Sequence, residues 1–545
     1  MARVFCVRQR VWLRVVLLTS LLLACVFIEI VSVDEADTHA GAEGHVEATL
    51  QRWMDTYLDT ASALLSNLTP PAGDSDNDTK ENQVFCDAVV KRMWEDVIPL
   101  RYNIAFKKVL VSHRRRHTAV SLGNPEANQK YIVWSLSGGL GNRVQALVSV
   151  LLAALLSGRV ILMKDWFTPL QPSGSPPVRP TVLPFVTYGN TSQEAFRYEN
   201  LRELFWFSND ERSSRVENEF MFCSMFPVMS LSQFEKIYPE EFRRQNNSTE
   251  VALFKDGHAK IDIRAGHDKK LRLWKHLACG DTSTTGEVDF FSREKFIYIW
   301  TNQYFLPLFY ANKRTKPIMH AWFSRDPFRS LLPLVFLPAR PAMYRVVRYM
   351  RLNALLKRRR YVGLHIRSFS RHKTGGLVKS FFACVNQFAA RAPSPPTFFL
   401  ASMYREAKSY FSVNPLKKGA RVVSLDSDQK GEGQGTGQGP VPEWEALADV
   451  VILSLSSHLF LSPASTYGFL AAAAGEVEFI TFVKARSLDA GRSEDTRCVR
   501  VDANAVTEPC FTSWFRLDFI RKRRQQMRCE LGDLPSWALH CGTNM

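Results

Sequence analysis

Between residues 131 and 163 the chain reads YIVWSLSGGLGNRVQALVSVLLAALLSGRVILM, a pattern of apolar and polar positions that spells one β-loop-α-β unit. Residues 131–135 are a β-branched and aromatic run and predict a strand. Gly138, Gly139 and Gly141 allow a tight turn in which backbone approaches a ligand closely. Asn142 has the chemistry of an N-cap, residues 143–157 contain neither Gly nor Pro and predict a helix, and Gly158 stands where a C-cap belongs. Residues 160–163 then predict the next buried strand. A helix that begins just after a glycine turn presents unpaired N–H groups and a positive dipole end, which suits an anion such as phosphate.

The second half of the chain alternates more regularly. Strands are predicted over 361–367, 397–402, 421–425, 458–462 and 478–483, with helices over 381–391, 405–413, 443–455 and 465–474 between them. Strand and helix at that spacing mean βαβ units and a parallel sheet. Between the first unit and residue 340 lies a long stretch rich in Phe, Trp and Pro without clean periodicity, and 431–440 (GEGQGTGQGP) reads as a surface loop. The expected fold class is therefore α/β, with two Rossmann-like subdomains and a ligand cleft between them at the carboxyl ends of the strands.

The N-terminus follows a different pattern. Arg3, Arg8, Arg10 and Arg14 precede or flank an apolar span over 12–33, long enough to cross a bilayer, with Arg14 and Glu29 near its edges. No clear Ala-x-Ala cleavage site follows, so an uncleaved signal anchor is the preferred reading over a cleaved signal peptide. The expected organisation is a cytosolic tail over 1–11, an anchor over 12–33, a luminal stem over 34–85, a first catalytic subdomain over 86–340 and a second over 341–545 with a Cys-rich tail. That places the chain in the membrane as a single-pass type II protein with its head luminal.

A luminal head makes the sequons at Asn67, Asn77, Asn190, Asn246 and Asn247 accessible to glycosylation. Of the ten cysteines, Cys6 and Cys25 lie in or beside the anchor, and the others can pair in an oxidising compartment; Cys498, Cys510, Cys529 and Cys541 crowd the tail, where disulfides are expected. Their spacing leaves the pairing open, and no Cys-x-x-Cys or His pair supports zinc. The formal net charge of +17 suits an acidic ligand or surface, and a luminal chain meets little nucleic acid. The basic runs at 113–117 (HRRRH), 357–360 and 521–524 read most simply as solvated surface.

The glycine turn fits neither common nucleotide motif. Counting from Gly139 through Gly141 puts Val144 where a dinucleotide fingerprint has its third glycine, and Asn142 and Arg143 follow Gly141 where a P-loop has Lys and Ser or Thr. An ordinary β-α crossover is the alternative for this segment alone. Two further segments share its expected place at strand ends: His365 and Arg367 finish the YVGLHIR strand, and Ser465, Thr466 and Gly468 open a helix after HLFLSP. Arginine holds a diphosphate bidentately, and two hydroxyls at a helix N-terminus complete a cradle.

These residues resemble the plant xyloglucan fucosyltransferase family. Residues 138–143, followed by Gln145-Ala146-Leu147 and Leu155-Leu156-Ser157-Gly158-Arg159-Val160, are similar to its glycine-turn motif and helix. Residues 363–367 are similar to its Gly-Leu-Gln-Ile-Arg strand, with His365 in place of Gln; 462–468 to its Ser-Ala-x-Ser-Thr-Phe-Gly block; and 300–307, 498–500 and 508–511 to further blocks in family order. Residues 169–190 and 431–440 depart from the family pattern. The resemblance implies a GT-B-like fold and a Golgi α1,2-fucosyltransferase that moves L-fucose from GDP-β-L-fucose to a terminal galactose, with inversion and without a metal or other cofactor. The donor-binding set it implies is Gly139, Gly141, Asn142, Arg143, His365, Arg367, Ser465, Thr466 and Gly468.

Asp426-Ser427-Asp428 after the 421–425 strand spells an Asp-x-Asp metal motif, but the family-like segment carries Asn there, and an acidic loop entry is preferred. The expected catalytic residues are Arg367, for charge on the departing GDP, and Asp165 as general base, with Asp426 and His365 as rivals. The expected partners are GDP-fucose, a galactose-terminated glycan and the Golgi membrane, with no nucleic acid; a homodimer is left open. A fucosyltransferase of another linkage and a silent luminal glycan-binding protein are the other readings.

Overall fold

The computed structural model describes residues 53–54, 56–65, 76–135, 140–163, 222–226, 229–241, 261–262, 295–300, 304–323, 326–355, 361–367, 374–402, 404–425, 443–463, 465–475, 477, 479–484 and 497–502. The expected anchor over 12–33, the 431–440 loop and the 169–190 segment lie outside the described residues.

Two sheets organise the chain. The first runs in the order β4 (Met229–Ser230), β2 (Val160–Met163), β1 (Tyr131–Ser135), β6 (Phe296–Trp300), β5 (Ile261–Asp262), with every pair parallel. The short strands β3 (Phe222–Cys223) and β7 (Leu337–Pro338) form a separate antiparallel pair. The second sheet runs β10 (Arg421–Val423), β9 (Thr397–Ser402), β8 (Val362–Ile366), β11 (His458–Leu461), β12 (Phe479–Lys484), β13 (Arg497–Asp502), parallel except for the last pair. In order of sequence that is 3-2-1-4-5-6, the doubly wound arrangement, and the order reverses between β8 and β11. The expected α/β class with two parallel sheets is what the chain forms.

The helices that matter for the site are α1 (Asp76–Arg92), α2 (Ile104–Ser121), α3 (Leu140–Ser157), α4 (Arg340–Leu352), α5 (Thr374–Arg391), α6 (Arg405–Val413), α7 (Glu443–Ser454) and α8 (Thr466–Ala474). Helix α3 is apolar on all sides and long enough to cross a membrane, yet it is 83% buried, which makes it a core helix. It packs against α8, which packs against α7, which packs against α4. Their side chains, among them Leu147, Leu151, Val450, Leu453, Phe469 and Met350, belong to one continuous buried cluster spanning both halves of the chain. A second cluster fills the space between β8, β9, α5 and α6, and a third lies between β1, β2, β6 and Phe234.

Three expectations are corrected here. Part of the expected stem belongs to the core: residues 53–54 and 56–65 are helical, Trp53, Tyr57, Ala61 and Leu65 recur every four positions and are buried in the main cluster, and the Tyr57 hydroxyl donates to the Pro338 carbonyl. Three large apolar side chains and an alanine on one helical face need a core to cover them. In the same segment Glu81 pairs with the fully buried Arg340. Second, α3 begins at Leu140, not after Asn142, because Leu140 is buried and the side-chain-free Gly141 lets the first turn form against another backbone. Third, Cys498 does not pair within the tail. It joins Cys384 of α5 across the sheet, with Cα atoms 5.8 Å apart, and Cys86 of α1 joins Cys223 of β3 at 5.2 Å. Cys510, Cys529 and Cys541 lie outside the described residues.

The Cys384–Cys498 bridge closes a loop of sequence separation 114 around four strands of the second sheet. Replacing both cysteines by Ser is expected to lower stability by about 2–5 kcal/mol, read as a fall in the thermal midpoint that added reductant does not deepen further at this bridge. An unchanged midpoint would remove the bridge from the account of stability.

Candidate active site

The carboxyl ends of β8 and β11 are where the second sheet reverses order, the place at which doubly wound sheets form a ligand crevice. Strand β8 is buried at every position because Gly363 lets β11 and α7 close over it: a Cβ there would sit 2.4 Å from Leu459 and 2.9 Å from Leu453. The two strand ends are cross-tied by Ser462. Its backbone N–H donates to the His365 carbonyl at 3.2 Å, and its hydroxyl oxygen accepts from the Arg367 backbone N–H at 2.8 Å. Arg367 leaves the strand half-buried at the mouth of the crevice.

Helix α8 begins immediately beyond. Ser465 is its N-cap, extended at φ −85° and ψ 106°, and its buried hydroxyl oxygen accepts from the Gly468 N–H at 3.5 Å. The cap uses one lone pair and leaves the hydroxyl proton to donate. Gly468 is needed for closeness: a Cβ would lie 2.9 Å from Leu461 and 3.3 Å from His365 Nδ1. His365 stacks on Tyr467 with ring centroids 4.8 Å apart and planes inclined by 24°. Tyr467 is held in turn by its hydroxyl, which donates to the Ala446 carbonyl on α7.

Burial, and then the Arg367 charge, push the His365 imidazole down to about 3. It is therefore neutral at physiological pH, offering one N–H and one acceptor, and Nδ1 has no hydrogen-bond partner among the described residues. A neutral ring here forms a polar wall of the site.

Gly141, in the first turn of α3, meets this site from the other half. A Cβ on Gly141 would lie 2.7 Å from the Tyr467 nitrogen and 2.8 Å from the Thr466 carbonyl carbon, both backbone atoms. Four residues further along α3, Gln145 Nε2 donates to the Thr466 carbonyl at 3.3 Å. The N-termini of α3 and α8 thus touch, and neither helix carries an acidic residue in its first turn. Two positive dipole ends in contact repel, and an anion between them relieves that repulsion.

Of the sequence-predicted residues, Gly141, His365, Ser465, Thr466 and Gly468 come together at this junction, with Arg367 at its mouth and Asn142 and Arg143 half-buried on the first turn of α3. Asn142 lies inside that turn and is not its cap. Gly139, Asp165 and Asp426 lie outside the described residues. Sequence reasoning passed over Gln145, Ser462 and Tyr467. Gln145 and Ser149 are a polar pair four apart in the buried part of the helix, and that spacing is a readable signal: the Ser149 hydroxyl donates to the Gln145 carbonyl and accepts from the Phe305 N–H at 3.1 Å.

Fold and site together define an α/β protein with two parallel sheets and an anion-receptive junction at a strand-order reversal. No family model matches the chain, and no curated protein matches it in sequence. Solved structures do match. A mutant of FUT1 from Arabidopsis thaliana in complex with GDP is similar over 82% of this chain and 86% of its own, with 18% identity and a TM-score of 0.45. A NodZ α-1,6-fucosyltransferase soaked with GDP-fucose is similar over 69% and 99%, with 13% identity and a TM-score of 0.36. Fucosyltransferase NodZ from Bradyrhizobium is similar over 69% and 99%, with 12% identity and a TM-score of 0.37.

Two outcomes test the junction. Gly141→Ala forces a methyl group against backbone and is expected to cost about 1–3 kcal/mol and to open the contact, measured as a lower thermal midpoint; a normal midpoint would show that the contact is not tight. The second concerns acid. The unfolded chain takes up a proton on His365 near its ordinary 6.5, while the folded protein refuses it until about 3. Stability should therefore fall as pH drops from 6.5 towards 3, by about 1.4 kcal/mol per pH unit at most for this group. His365→Gln, which does not titrate, should show a flatter decline of midpoint with pH; an identical slope would contradict the buried neutral state.

Proposed function

We propose that the protein is a glycosyltransferase that transfers L-fucose from GDP-β-L-fucose to a glycan hydroxyl, with inversion. The observation that carries the reading is the contact between the N-termini of α3 and α8, free of acidic residues and flanked by Arg367. A departing nucleoside diphosphate needs its growing negative charge stabilised, and this junction supplies helix N–H groups, the Ser465 and Thr466 hydroxyls and a guanidinium without a cation. The sequence blocks shared with the plant family choose guanosine diphosphate and fucose among nucleotide sugars.

In the proposed step the acceptor oxygen attacks C1 of the fucose from the face opposite GDP. The new C–O bond forms as the bond to the β-phosphate oxygen breaks, the electron pair leaves with GDP, and the acceptor proton passes to a general base, for which Asp165 is the candidate. The β-configured donor yields an α-linked product. Terminal galactose and the α1,2 linkage follow the family resemblance, as do a Golgi location and a type II anchor over 12–33. Transfer to another hydroxyl or acceptor keeps the same donor residues.

The test is the full chain with labelled GDP-fucose and a panel of galactose-terminated and other glycans, in EDTA. Transfer to a galactose-terminated acceptor is expected, with linkage read by NMR of the product, and Arg367→Ala is expected to lower kcat about 100-fold or more. Failure to bind GDP or to hydrolyse GDP-fucose would sink the enzyme reading, and loss of activity in EDTA would sink the metal-free one. Because α3 enters from the first half, Asn142→Ala and Arg143→Ala should reduce transfer more than GDP affinity; equal losses in both would put these residues on the diphosphate instead.

A further inference from the structure

Tyr467, the second residue of α8, joins the other elements that the site depends on. Its backbone nitrogen lies against Gly141 of α3, 2.7 Å from where a Cβ would be. Its ring carries the His365 imidazole at the end of β8, and its hydroxyl donates to the Ala446 carbonyl in the first turn of α7. Burial, and then the Asp449 charge, hold the phenol well above its ordinary pKa, so the hydroxyl remains a donor at neutral pH.

Packing alone does not call for that hydroxyl. A phenylalanine would fill the same space and keep the stack on His365, but would leave the start of α8 untied from α7. The far end of α8 is fastened by shape: its C-cap Gly475 presses on α7 so closely that a Cβ would lie 1.5 Å from the Ser454 carbonyl oxygen. The start is drawn in two directions by side-chain hydrogen bonds, towards α3 by Gln145 on the Thr466 carbonyl and towards α7 by Tyr467 on the Ala446 carbonyl. Helix α8 has nine residues and is about 13 Å long, so a turn of about 5° about its far end moves its start by about 1 Å. That start carries Ser465, Thr466 and the helix N–H groups, and a misplacement of about 1 Å in groups that stabilise a reaction can cost about 100-fold in rate.

We propose that Tyr467 is a positioning residue for the transfer, its hydroxyl tying the start of α8 to α7 and its ring bracing His365, so that α8 and the end of β8 keep one spacing while charge grows on the departing diphosphate. The assignment rests on the reading of the protein as a fucosyltransferase. Tyr467 acts through α8 and through His365, which shares its strand end with Arg367.

The test compares the full chain with Tyr467→Phe and Tyr467→Leu by turnover of labelled GDP-fucose, thermal midpoint, and hydrogen exchange of the ligand-free protein read by mass spectrometry. Tyr467→Phe keeps the ring and loses only the tether. It is expected to lower kcat about tenfold or more with KM for GDP-fucose within about threefold, because misplacement is felt most where charge develops. Exchange at Gly468 and Phe469, whose N–H groups bond to Ser465, should quicken about threefold or more, the scale of one lost hydrogen bond, while α5 and α6 keep their rates. Tyr467→Leu, which removes the stack as well, should lose at least about threefold more in kcat than Tyr467→Phe. Wild-type kcat in Tyr467→Phe would overturn the proposal. So would wild-type exchange over 465–474, or faster exchange throughout the chain, which marks general destabilisation. If the wild-type chain itself turns over no GDP-fucose, the proposed function fails; exchange then decides the positioning alone, which quickening confined to 465–474 supports and its absence overturns.

Discussion

The approach of Gly141 to the Thr466–Tyr467 backbone sets the geometry of everything around it. At 2.7 Å from where a Cβ would be, the contact tolerates no side chain, so it forces the first turn of α3 onto the first turn of α8. Gln145 then fastens the same carbonyl from one turn further along. Helix ends ordinarily find their N–H partners in caps, water or ligands. Here α8 has Ser465 as cap, and the two positive ends lie side by side without an acidic side chain to offset them. The site is thus an electrostatic feature before it is a set of side chains.

The second sheet supplies the frame. Its order reverses between β8 and β11, and Ser462 ties those strand ends together so that Arg367 and His365 face the same crevice. Burial beside Arg367 keeps His365 neutral, and its stacking on Tyr467 links the end of β8 to the start of α8. Each of these contacts joins segments far apart in sequence, which is why the junction depends on the whole core being closed. Residues 53–65 take part in that closure through Trp53 and Tyr57.

Much of the alternation of strand and helix after residue 361 was readable: 397–402 and 405–413 are the observed bounds of β9 and α6, whereas the helix expected over 381–391 begins nearly two turns earlier, at Thr374. The β8–α8 part of the site was readable because His365 and Arg367 finish one strand and Ser465 opens the helix after another. Other features could not be read because they depend on distant partners. Asn142 has N-cap chemistry, but the helix starts earlier because Leu140 finds a buried slot. The 53–85 segment has stem-like Pro, Asn and Asp clusters around a buried aromatic face, and only the core reveals that face as covered. Cysteine spacing was silent on the pairing of Cys384 with Cys498, which the antiparallel pairing of β12 with β13 beside α5 brings about.

The central claim is that the α3–α8 junction holds the diphosphate of a guanosine nucleotide. Calorimetric titration of the full chain with GDP, GMP and guanosine in EDTA tests it directly, because the three differ only in phosphate. Charge-assisted hydrogen bonds of about 1.5–3 kcal/mol each predict that GDP binds at least about tenfold more tightly than GMP, with guanosine weakest. Equal affinity for all three would place recognition on the base and sugar and contradict the account.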